Sequence, residues 1–98
     1  MRLVWSPLAD RQVDEVLAYI SAADAAAARR WLEELFERVD ALRSLPEPGR
    51  MVPELGREEI RELLVGSYRI ICRHRGDLVE IAVIRHQARH FDENALAR

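Results

Sequence analysis

"YRIICRHRGDLVEIAVIRH" (Tyr68–His86) holds the pattern that decides the fold. Its first half alternates with a period of two. Tyr68, Ile70, Cys72 and His74 fall on one face, and Arg69, Ile71, Arg73 and Arg75 on the other. That period is the mark of a half-buried strand. Gly76-Asp77 then supplies a tight turn, and the period resumes through Leu78–His86 with Val79, Ile81 and Val83 on the expected core face. Two strands joined by so short a turn are antiparallel neighbours. "IRELLV" (Ile60–Val65) precedes them, separated by Gly66-Ser67, and extends the hairpin to a three-strand meander. The pattern does not decide which face of that strand is buried.

Upstream the period changes. Leu8, Val13, Val16, Leu17 and Ile20 recur at three- and four-residue spacing, which predicts an amphipathic helix. Ser6 can cap it and Pro7 fits its first turn, where a missing N–H costs nothing. "SAAD" (Ser21–Asp24) should interrupt the helix, and Asp24 can cap the next one. Ala28, Trp31, Leu32, Leu35, Phe36, Val39 and Leu42 make the stripe of a second helix. The link is short, so the two helices form an antiparallel hairpin. "PEPGRMVPELGRE" (Pro46–Glu59), with three prolines and two glycines, is not expected to form a regular element. "RLVW" (Arg2–Trp5) reads as a short strand that adds at an edge of the sheet.

The order β-α-α-β-β-β predicts an α+β fold. An N-terminal strand and a helical hairpin packed on one face of a four-stranded antiparallel sheet would make a single domain over residues 1–98. The expected core includes Trp31, Leu35, Phe36, Val39, Ile70, Ile81 and Val83. The opposite sheet face is left partly open, and it carries Arg69 and Arg73.

Composition narrows the function. The chain has 98 residues and a formal net charge of −2. All its basic residues are arginine, and they are unevenly spread. Residues 1–60 carry 8 Arg against 12 Asp+Glu, and residues 61–98 carry 7 against 5. The acidic balance argues against indiscriminate nucleic-acid binding, while the basic C-terminal part fits a specific anionic partner. No apolar run approaches the ~18 residues of a membrane span. The N-terminus lacks the apolar core of a signal peptide, and a single cysteine, Cys72, allows no internal disulfide. These features predict a cytoplasmic protein.

No glycine-rich phosphate loop occurs. "HQARH" (His86–His90) has the histidine spacing of a helical zinc motif, but Gln87 stands where the glutamate would be and a strand leads into it. No metal and no cofactor is expected. Cys72 and His74 share a strand face directed at the core, where a thiol is inert. The remaining candidates are Arg61, Arg69, Arg73, Arg85 and Arg89, with His86 and His90 beside them. Arginine's planar donor fork matches phosphate or carboxylate. The bland alternative is a solvated arginine face, or one paired with Glu62 and Glu80.

"RELLVGSYRIICR" (Arg61–Arg73) followed by "RGDLVEIAVIRHQAR" (Arg75–Arg89) resembles the C-terminal half of the RelE/ParE toxins of type II toxin–antitoxin pairs. "SPLADRQVDEVLAYI" (Ser6–Ile20), the alanine-rich second helix with its Trp, and "LPEPGRMVPEL" (Leu45–Leu55) stand in the order of that family. The likeness runs from Leu3 to Phe91. It implies an antitoxin partner and a hetero-oligomer. It also implies one of two targets: DNA gyrase for ParE-like members, the ribosome and its mRNA for RelE-like nucleases. By position, Arg69 corresponds to a phosphate-contacting arginine, Arg89 to the arginine past the last strand, and Arg61 to the first basic residue of the preceding strand. Leu63 stands where RelE has a lysine, and no tyrosine follows Tyr68, so RelE's C-terminal catalytic tyrosine is missing. His86 or His90 would have to act as acid or base instead. "RHQAR" resembles the ParE ending. A gyrase-directed toxin that binds through Arg69, Arg73, Arg85, Arg89 and His90 is therefore favoured over a nuclease. An inactive relative that only binds its antitoxin is the third reading.

Overall fold

The structure, a computed structural model, describes residues 2–44, 49–88 and Leu96. The elements are β1 (Arg2–Trp5), α1 (Pro7–Ala23), α2 (Ala25–Ala41), β2 (Arg50–Met51), β3 (Ile60–Val65), β4 (Tyr68–Arg75) and β5 (Leu78–His86). They form one sheet of order β1-β5-β4-β3-β2. The α+β class and the element order are as expected, and β1 does lie at an edge. The sheet differs in two respects. It has five strands, because Arg50 and Met51 pair with Glu62 and Arg61 inside the proline-rich segment. It is mixed, because β1 runs parallel to β5.

Local chemistry sets the helices. The Ser6 hydroxyl accepts from the Ala9 N–H at 2.9 Å and donates to the Ala82 carbonyl at 2.7 Å, tying the start of α1 to β5. Helix α1 runs through Ser21–Ala23, so "SAAD" does not interrupt it before Asp24. Asp24 alone separates the helices: its Oδ1 accepts from Ala26 and Ala27 at 3.0 and 3.1 Å. This cap meets the orphan donors of α2 and permits the sharp reversal.

Between hairpin and sheet lies the main core. Val13, Val16, Trp31, Leu35, Val39 and Leu42 meet Leu63, Val65, Ile70, Cys72, Val79, Ile81 and Ile84. Trp31 Nε1 donates to the Val65 carbonyl at 2.9 Å, so its buried polar atom is satisfied. Phe36, expected in this core, is 51% exposed at the margin of the α2 stripe.

The other sheet face is not open. Val52, Ile60, Ile71, Ala82, Val83 and Leu96 form a second core there, flanked by Leu8 and Leu55. The segment around β2 folds back to supply Val52 and Leu55. Val83 belongs to this second core because of a bulge. Cys72 pairs with Ile81 but Ile71 pairs with Val83, leaving Ala82 as the extra residue. One extra residue reverses the inside-outside alternation beyond it. Ile84 therefore replaces Val83 on the helix face. Strand β3 is buried on both sides: Ile60 and Glu62 face the second core, and Leu63 and Val65 the first. Among the described residues, no helix is long and apolar enough to cross a membrane.

Candidate functional site

Arg69 lies on the second face, as its place in β4 requires, but it is buried, with 5% exposure. Its Nε donates to Glu62 Oε1 at 2.7 Å, and its two terminal nitrogens donate to the two oxygens of Glu54 at 2.6 and 2.7 Å. The second contact is a two-point fork on a carboxylate, the strongest geometry available to arginine. Glu62 in turn accepts from Arg50 at 2.5 Å through Oε2. Two guanidiniums and two carboxylates thus form one neutral clasp. The neighbouring carboxylates, Glu54 foremost, hold the Arg69 guanidinium above its ordinary pKa against the opposing effect of burial. The clasp fastens the segment around β2 to β3 and β4. A cavity of about 400 Å³ opens beside it, lined by Arg50, Pro53, Glu54, Leu64, Arg69 and Gln87.

Other candidates are divided between the two faces. Arg85 is half-buried and stands across from Arg69 in the β4–β5 register. Arg73 Nη2 donates to the Leu96 carbonyl at 2.8 Å, and its Nε lies 3.8 Å from Glu80. His86 is exposed on the helix face, opposite Tyr68. The rings of Trp31, Tyr68 and His86 follow one another edge to face, with centroids 5.5 and 5.3 Å apart. His86 Nδ1 accepts from the Ala88 N–H at 3.1 Å, so Nε2 carries the ring proton and is the donor turned outward. Burial, and then the nearby Tyr19, push the Tyr68 phenol above its usual value. Tyr68 and His86 border a surface cleft of about 550 Å³, together with Gln12, Glu15, Tyr19 and Ile84.

Arg61 is at the far end of β3, where its Nε donates to the Glu58 carbonyl at 2.9 Å. It faces His74, whose pKa is lowered first by burial and then by the Arg61 charge. Nε2 of His74 is shielded and has no hydrogen-bond partner among the described residues. Cys72 is buried, and burial pushes its thiol up to about 12. A thiol so raised is not a nucleophile at neutral pH. Among the described residues, no group of three His, Cys, Asp or Glu could hold a metal ion. Arg89 and His90 lie outside the described residues.

The described candidates therefore do not converge on one surface. Arg69 and Arg85 are neighbours, Arg73 is further along the same face, and Arg61 and His86 sit at opposite ends of the other. For Arg69 and Arg73 the paired reading holds, with Glu62 and Glu80 as anticipated. Arg50 and Glu54 were missed. Both come from the proline-rich segment, whose path over the sheet leaves no periodic signal.

A sequence model of a known family, the ParE toxin of the type II toxin–antitoxin system parDE, matches residues 3–91. Among solved structures, the chain is similar to one from a chromosomal ParDE toxin–antitoxin system of P. aeruginosa. The TM-score is 0.72 at 19% identity, and the match covers 88% of this chain and 95% of that one. At that identity the likeness speaks for the fold. No curated protein matches.

Proposed function

Since this chain belongs to the ParE toxin family of type II toxin–antitoxin systems, we propose that it is a cytoplasmic toxin that inhibits DNA gyrase by binding. A cognate antitoxin would neutralise it within a hetero-oligomer. The observation that carries the choice of binding over catalysis is the clasp around Arg69. An RNA-cleaving relative needs an arginine free to meet the charge that develops on a phosphorane. Here the corresponding guanidinium is buried and committed to Glu54 and Glu62. Freeing it would break a buried ion pair, a change that costs about 3–5 kcal/mol when one partner is lost. The apolar Leu63 and the lack of any tyrosine after Tyr68 point the same way.

One observation favours the nuclease alternative. His86 presents an exposed imidazole beside the Tyr68 ring, an arrangement suited to general acid–base work. Purified gyrase and a purified translation system, each dosed with the chain, separate the two. Loss of supercoiling with translation intact is the expected result. Codon-specific mRNA cleavage with gyrase unaffected would overturn it.

A further inference from the structure

Phe36 departs from the stripe that buries the rest of α2, and it is 51% exposed. Leaving a phenylalanine in water forgoes a large apolar stabilisation. Its ring is nevertheless fixed: it meets Trp5 edge to face, with centroids 5.9 Å apart and planes at 76°. The two rings wall a cleft of about 370 Å³ whose other lining residues are Val13, Asp10 and Asp14. Asp10 and Asp14 are one helical turn apart on α1, so their carboxylates share a face. Both are exposed, and neither is ion-paired among the described residues. Asp10, in the first turn, has a structural reason to be there, since an acid favours a helix N-terminus. Asp14 lies beyond that turn and has none. Among the described residues, no basic side chain lines the cleft.

We propose that this cleft receives an arginine side chain from a protein partner. Every polar feature of the lining attracts a cation. Aromatic faces carry negative quadrupole density, and a guanidinium stacks on them. Two carboxylates on one helix face can meet its donor fork. Phosphate or carboxylate would be repelled, so the cleft does not serve the anionic partner that the C-terminal arginines suit. The cleft also adjoins β1, an edge strand that pairs on one side, with β5, among the described residues. An extended partner segment can lie along that edge and deliver the side chain. The inference holds whichever target the toxin proves to have.

The test is an NMR titration of the full chain with N-acetyl-arginine amide, using N-acetyl-citrulline amide as the neutral isostere. The indole N–H of Trp5 should shift saturably with arginine, and at least about fivefold more weakly with citrulline, since the charge supplies the attraction. The response should disappear in Phe36→Leu and in the Asp10→Asn/Asp14→Asn double variant. These are surface changes, and an unmoved Trp31 indole signal, bonded to the Val65 carbonyl, verifies the fold in each. A response of equal strength to citrulline would overturn the proposal. So would its persistence in either variant, or the absence of saturable binding to the native chain. An equal response to N-acetyl-lysine amide would overturn the choice of a guanidinium.

Discussion

Glu62 shows how one side chain can hold a segment that has almost no secondary structure. Its side chain is fully inaccessible, between Arg69, which is nearly as buried, and Arg50, which is largely exposed. Glu62→Ala strands the Arg69 guanidinium with half its compensation. The expected loss is about 3–5 kcal/mol, read from urea denaturation midpoints. Replacing both buried members, as Glu62→Leu/Arg69→Met, should cost less than Glu62→Ala alone. The double variant removes both deeply buried charges, and Arg50 and Glu54, with side chains 59% and 17% exposed, can turn to water. A double variant that is less stable than the single one would show that the clasp contributes more than mutual neutralisation. His74 carries a second prediction at this scale. Its folded pKa lies below the ordinary 6.5 because burial and Arg61 disfavour the imidazolium. The unfolded chain therefore binds the proton more readily. The stabilising contribution is fully present above about pH 6.5 and is lost as pH falls towards and through the folded value. Denaturation midpoints of the native chain should drop between pH 7 and 5, and His74→Gln should flatten that part of the fall.

Strand β2 is two residues long, and its existence depends on the residue before it. Gly49 has φ +80°, and a Cβ there would stand 2.6 Å from the Glu62 carbonyl oxygen. Gly49→Ala meets both the left-handed backbone penalty, about 1–2 kcal/mol, and a clash with the backbone of β3. Gly76, φ +58°, has nothing within 4 Å of the same position, so Gly76→Ala carries the backbone penalty only. Hydrogen exchange should find the β2–β3 amides much less protected in Gly49→Ala, and unchanged in Gly76→Ala. The contrast also explains which elements could be read from the sequence. The helices, β3, β4 and β5 announce themselves because their burial follows a local period. Strand β2 has no period, and only contacts with β3 define it. The parallel pairing of β1 is non-local, since Arg2 meets Leu78. The bulge at Ala82 breaks the alternation inside a strand that otherwise reads well, which is why Val83 was placed on the wrong face. Phe36 lies at the edge of a stripe whose width the helix period does not specify. Of the candidate site, the pairing of Arg69 with Glu62 was legible from opposite charges on adjoining strands. The fork from Glu54 was not, because nothing local brings Pro53-Glu54 over the sheet.

At the scale of the whole molecule, the candidate residues separate into those that hold the fold and those free to meet a partner, and mutants must be interpreted accordingly. Loss of toxicity in an Arg69 variant would report the broken clasp as much as any target contact. His86 is a cleaner probe. It is exposed, its Nδ1 accepts from the neighbouring Ala88 N–H, and its ring rests on Tyr68 at the surface. Removing it should leave both cores intact. For a toxin that acts by binding, His86→Ala deletes one surface contact. Growth inhibition on induction should persist, weakened by no more than about tenfold, the worth of ~1.4 kcal/mol of contact energy. For a nuclease in which His86 supplies the missing acid or base, the same change should remove about 10²–10⁴-fold in cleavage rate. The variant would then be harmless while ribosome binding remained. Toxicity of induced His86→Ala, compared with the native chain at matched levels and with thermal unfolding as the control for folding, measures the difference directly. Complete loss of toxicity in a folded His86→Ala variant would move the assignment from gyrase to the ribosome.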